Sequence, residues 1–209
     1  MKRLINVPKS VIVGADISPD QYTELIHAIS GVPGISAVKI GFRIGLGGLG
    51  RAVEETKRIA PNLITIYDHQ KAGTDIPNTQ EDFVAAMADA GVDAAIIFPE
   101  SGPVTQRSWT EGLQAKGITV IGGGEMTHKG YLVSDGGYIA DDAPERMYRL
   151  HAELNVRNLV VPGNKPEKVE KYRKLLEEIL GEGNFDLMAP GFIRQGGDIS
   201  ETGLVAGLN

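Results

Sequence analysis

The chain contains no cysteine among its 209 residues. Disulfides and thiolate metal sites are therefore excluded, and the absence fits a cytoplasmic protein. Positive charge is also scarce: 21 Lys and Arg face 27 Asp and Glu, a net charge of −6. Nucleic acid and membrane surfaces both call for a basic face, so neither is an expected partner. A small anion needs only a few local cations and stays open. No apolar run approaches the ~18 residues of a membrane span. The start, MKRLINVPKS, lacks the apolar stretch of a signal peptide. HxH and HExxH spacings are missing, so His69 and His128 read as metal-free. No dinucleotide fingerprint follows the first apolar run, which continues GADISPD.

What is present is alternation. Short apolar runs occur at 10–17, 35–42, 63–68, 93–98, 118–121, 158–161 and 185–189. Helical patterns follow them, beginning at 18–20 and covering 49–60, 78–90, 104–116, 144–154, 166–180 and 201–208. Runs this short and continuously apolar suit a parallel sheet covered on both faces. Seven βα units without a long linker imply either a (β/α)8 barrel or a doubly wound sheet.

Three features favour the barrel, as one domain over 1–209. The spacing is near-even, at roughly 25–30 residues per unit. The nucleotide fingerprint is missing. Polar residues also collect where the runs end: Asp16, Lys39, Asp68, Glu100, Glu125, Thr127 and Asn164, with Gln195 a little further on. In a barrel those ends meet around one mouth. An eighth strand is expected after the stretch at 201–208, and the sequence shows none. Either the count is off by one or the chain stops short of it.

The charges at these ends carry the chemistry. Lys39 stands within Val38-Lys39-Ile40-Gly41, pointing away from its apolar neighbours. A lysine inside a barrel needs a carboxylate partner, because burying an unpaired charge is costly. Asp16 and Asp68 are the candidates; the alternative is a lysine at a solvated strand end. Residues 67–79, YDHQKAGTDIPNT, place Asp68, Lys71 and Asp75 together. A lysine flanked by carboxylates stays protonated, which suits a general acid. A substrate carboxylate held against those aspartates is repelled, and its loss as CO₂ relieves the repulsion. The alternative is a solvated charged loop. Glycines in Gln195-Gly196-Gly197-Asp198, after Pro190-Gly191, let backbone N–H groups approach an anion. The glycine-rich stretch after Thr127-His128 reads as a mobile lid or as a passive excursion.

These motifs, taken in order, resemble the orotidine 5′-monophosphate decarboxylases and their wider suprafamily. Asp16 matches the aspartate ending strand one, and Lys39 the lysine of a V-K-x-G strand two. Asp75-Ile76-Pro77-Asn78-Thr79 matches the end of the strand-three signature. Thr127 matches a Ser or Thr after strand five, and Pro190-Gly191 with Gln195–Asp198 the stretch after strand seven. The resemblance implies a homodimeric, cofactor-free, metal-free carboxy-lyase of pyrimidine biosynthesis acting on a nucleotide monophosphate. It implies that Lys71 protonates C6 while Asp68 stresses the departing carboxylate. Asp16 and Lys39 then hold the ribose, Asp75 and Thr79 serve the neighbouring subunit, and Thr127 and Gln195 contact the pyrimidine. Pro190 and Gly196 complete the binding set.

The chain departs from the family in having one extra residue on each side of the lysine. Asp68 and Lys71 therefore point together only through a bulge or an early strand end. The family's phosphate-binding arginine has no clear counterpart before Asn209; Arg194 is a possible substitute. Two other readings stand beside this one. The first is a Mg²⁺-dependent lyase like the hexulose-phosphate synthases. That branch carries Glu where Lys39 stands, and Asp-Ala or Asp-Thr where Asp75-Ile76 stands. The second is a phosphate-ligand binder without chemistry.

Overall fold

The structure, a computed structural model, describes residues 3–69, 72–192 and 196–206. Its strands and helices alternate: β1 (Val11–Ala15), α1 (Pro19–Ile29), β2 (Ile35–Gly41), α2 (Phe42–Ile59), β3 (Ile64–Asp68), α3 (Gln80–Ala90), β4 (Ala94–Ile97), α4 (Pro103–Ala115), β5 (Thr119–Gly123), α5 (Ala143–Glu153), β6 (Asn158–Val160), α6 (Pro166–Leu180), β7 (Asp186–Met188) and α7 (Ile199–Val205). The strands follow one another in the sheet in sequence order. That order is the wall of a (β/α)8 barrel; a doubly wound sheet reverses at a switch point. Seven strands lie among the described residues. No helix among them is long and apolar enough to cross a membrane.

Two compact units divide the chain: Met1–Ile97 with Ser108–Val120, and Phe98–Arg107 with Ile121–Asn209. In the first, β1, β2, β3 and β4 pair in parallel. Ala15, Val38, Ile40, Ile66 and Ile97 of the strands are buried, as are Tyr22 and Ile26 of α1 and Val53 of α2. Thr56 Oγ1 donates to Ala52 O at 2.8 Å, so the Tyr22 hydroxyl, 2.7 Å from Thr56 Oγ1, is the donor in that pair. Burial pushes this phenol up to about 12, consistent with a proton that stays in place.

Helix α2 begins seven residues before the expected position. Its first half, FRIGLGGLG, is poor in helix formers, each glycine costing about 1 kcal/mol relative to alanine. Packing overrides that preference. A Cβ on Gly45 would lie 2.5 Å from the Tyr67 ring, so only glycine lets α2 approach β3 there. Gly48, at φ 132°, marks a kink inside the helix.

In the second unit, β6 pairs in parallel with β5 and β7. Leu159 and Val161 are buried, as are Tyr148 and His151 of α5 and Tyr172 and Leu176 of α6. β5 extends two residues beyond the expected 118–121, through Gly122 and Gly123. The loop of 129–142 is tied by many hydrogen bonds. Gly130 N donates to Asp135 Oδ2 (2.6 Å), Ser134 Oγ to Asp141 Oδ1 (2.5 Å) and Val133 N to Ile139 O (2.8 Å). Tyr131 and Leu132 are buried. The loop is thus a self-bonded excursion anchored at its base.

Candidate active site

Strand register explains the first cluster. Gly14 aligns with Lys39, Lys39 with Ile66, and Gly41 with Asp68. Aligned residues of parallel strands share a face, as do residues two apart. Lys39, Gly41 and Asp68 therefore share one side, and Asp16 follows Gly14 by two residues at the end of β1. Lys39 Nζ donates to Asp68 Oδ2 at 2.6 Å and stands 3.9 Å from Asp16 Oδ2. The expected carboxylate partner of Lys39 is thus Asp68, with Asp16 at the margin. Lys39 and Asp68 are mostly covered, while the Asp16 side chain is 49% exposed.

Gly41 makes this cluster possible. Its φ of −79° is open to any residue, but a Cβ there would lie 2.4 Å from Asp16 Oδ1. The glycine of Val38-Lys39-Ile40-Gly41 is a space for a carboxylate. On the other face of β3, burial and the Asp68 charge raise the Tyr67 phenol, whose hydroxyl lies 2.5 Å from His69 Nδ1. His69 also stacks edge-on against Phe83.

β3 ends at Asp68, without a bulge in its pairing to β2 or β4. Lys71 itself, and Gln70, lie outside the described residues. Asp75 is exposed, its Oδ1 accepting from Ile76 N at 2.7 Å. Thr79 closes a short 3-10 turn, Pro77–Thr79, and its hydroxyl donates to Ile76 O at 2.8 Å. Ser108 Oγ donates to Pro77 O (3.1 Å) and Trp109 Nε1 to Ile76 O (3.4 Å), so α4 anchors the segment carrying Asp75.

The second unit carries the other candidates. Thr127 is half-buried beyond β5, and Asn164 Nδ2 donates to its carbonyl at 3.1 Å. Glu125 is almost fully buried. Its carboxylate accepts from Lys165 Nζ at 2.9 Å and from the Tyr172 hydroxyl, with Lys168 Nζ 3.7 Å away. Burial, then the bond to Glu125 and its charge, raise the Tyr172 phenol and keep it a donor. Pro190 O accepts from Gly163 N at 2.9 Å, and Gly197 N donates to Gly191 O at 3.0 Å. Gly196, at φ 77°, turns the chain in the left-handed region that favours glycine. Gln195 and Arg194 lie outside the described residues. Glu125 was visible in the sequence as a charged strand end. Its partners Lys165 and Tyr172 were not, since spacing does not say which of several cations in α6 turns inward. Among the described residues, no group of three or more His, Asp or Glu is placed to hold a metal ion.

No protein-family model matches the chain. Curated proteins do. The orotidine 5′-phosphate decarboxylase of Methanosarcina barkeri is 30% identical over 168 residues, 80% of this chain and 69% of that protein. The chain belongs to the orotidine 5′-phosphate decarboxylase family. The Methanosarcina mazei member is 29% identical over 167 residues, with the same coverage of 80% and 69%. The family's members are carboxy-lyases, and the chain shares their fold. It superposes on the crystal structure of the Methanocaldococcus jannaschii decarboxylase complexed with the inhibitor BMP at a TM-score of 0.78, with 19% identity, covering 94% of this chain and 84% of that one. The Pyrococcus horikoshii enzyme gives 0.73 at 22% identity, covering 93% and 85%.

Proposed function

We propose that the chain, as one barrel domain, decarboxylates orotidine 5′-monophosphate to uridine 5′-monophosphate without a cofactor, in pyrimidine biosynthesis in the cytoplasm. The observation that carries the reading is the Lys39–Asp68 pair at 2.6 Å, with Asp16 beside it, at the ends of the three strands the family motif names. Asp68 sets its negative charge against the substrate carboxylate. The C6–carboxylate bond breaks, CO₂ leaves, and the electron pair stays on C6. The Lys71 ammonium delivers the proton that C6 then takes.

Lys39 and Asp16 hold the ribose hydroxyls. Thr127 and Gln195 bind the pyrimidine edge, and Pro190 and Gly196 shape the turn beside the phosphate. Asp75 and Thr79 serve the site of a second copy in a homodimer. In the first unit Phe42, Leu46 and Ile76, beside Asp75, are exposed apolar side chains that such an assembly would cover.

The test is loss of orotidine 5′-monophosphate absorbance, with and without EDTA, for the wild type and Lys71→Ala. Metal-independent turnover that disappears in the variant is expected. A folded wild type that binds uridine monophosphate and turns nothing over would make the chain a binder on the same scaffold.

A further inference from the structure

Two glycines end β5 and a third follows, and each is enforced by a ring. A Cβ on Gly122 would lie 2.6 Å from His151, one on Gly123 2.3 Å from Phe98, and one on Gly124 2.7 Å from Tyr148. Close packing therefore requires a segment with unusual backbone freedom immediately before Thr127. Such a segment places a binding side chain well only if something else fixes it.

Residues 124–127 are each fixed. Gly124 O accepts from the Tyr131 hydroxyl at 2.9 Å, and Glu125 N reaches the Tyr148 hydroxyl at 3.4 Å. Lys165 Nζ donates both to Glu125 Oε1 and to Met126 O, at 2.9 Å each. Asn164 Nδ2 donates to Thr127 O. Two neighbouring residues at the start of α6 thus grip three successive residues after β5. Glu125 supplies the buried counter-charge that keeps Lys165 turned inward. The Asn164 amide donates to Thr127 O, while its Oδ1 is buried with no hydrogen-bond partner among the described residues. Among those residues its side chain is held by its donor alone.

We infer that Asn164 and Lys165, with Glu125, are positioning residues that fix Thr127 for substrate. The inference rests on the proposed role of Thr127. Its test separates the two. Asn164→Leu removes the donor together with the unpartnered acceptor, so stability changes little. The double change Glu125→Gln with Lys165→Met removes the lysine without stranding a buried charge. Both are compared with Thr127→Val by steady-state kinetics on orotidine 5′-monophosphate and by amide exchange at residues 125–128.

Asn164→Leu is expected to lower kcat/KM by about tenfold. In the Thr127→Val background the same change should cost less than about twofold, because residues acting through one another are non-additive. Exchange at Met126 and Thr127 should accelerate while the melting midpoint holds. Independent, multiplicative losses, or unchanged exchange at Thr127, would overturn the inference. Should Asn164→Leu not fold, the neutral double variant carries the same two readouts. Should the wild type have no activity, the proposed function fails, and amide exchange alone decides whether the grip exists.

Discussion

Two lysine–carboxylate clusters stand at strand ends, one in each unit, and they are built in opposite ways. Around Lys39 there are two aspartates at 2.6 and 3.9 Å, and one of them is half open to solvent. Around Glu125 there are two lysines and a tyrosine hydroxyl, and the carboxylate is almost wholly enclosed. The first cluster is partly open to solvent through Asp16. The second satisfies its acceptors and ties them to backbone carbonyls. In the proposed function the same residue types serve chemistry in one place and scaffolding in the other, and their exposure differs accordingly.

The comparison breaks most visibly at Lys71. Replacement by alanine removes the proposed proton donor, and kcat should fall by at least about a thousandfold, with the melting midpoint kept. Equal turnover by variant and wild type would move the chemistry elsewhere. Glu125→Ala should act in the opposite sense. It leaves Lys165 and Tyr172 facing a cavity and should cost about 3 kcal/mol of stability, read by urea denaturation.

His151 sharpens the structural side. It is buried against Gly122, and burial depresses the imidazole to about 4. The unfolded chain takes up its proton near pH 6.5 and the folded chain only near pH 4. Stability is therefore full above pH 6.5 and falls as pH drops towards 4, by about 3 kcal/mol. His151→Gln should flatten that part of the pH profile. Lys39→Met should have a smaller effect on energy and a larger one on function. A loss of about a hundredfold in kcat/KM is expected. The smallest effect is that of Gly41→Ala. It should raise KM by about tenfold by displacing Asp16, because a Cβ there meets the carboxylate. An unchanged KM would mean that Asp16 moves aside at no cost.

Much of this was legible beforehand. The helix over 166–180 has the expected limits, since Pro166 opens it and the apolar spacing is regular. The carboxylate demanded by Lys39 exists, because a covered ammonium needs one in any packing. The first half of α2 was not legible. Glycine-rich segments look like loops, and only the approach of Tyr67 explains why this one is a helix.

The sequence by itself determined the alternation of short apolar runs with amphipathic helices, and the placing of charges where those runs end. Both are local properties of the chain. Tertiary structure decided that Lys39 takes Asp68 over Asp16, that Lys165 and Tyr172 turn towards Glu125, and that Gly41 exists to admit a carboxylate. These depend on strand register and on distances of a few ångströms between residues far apart in sequence, which periodicity and propensity do not encode.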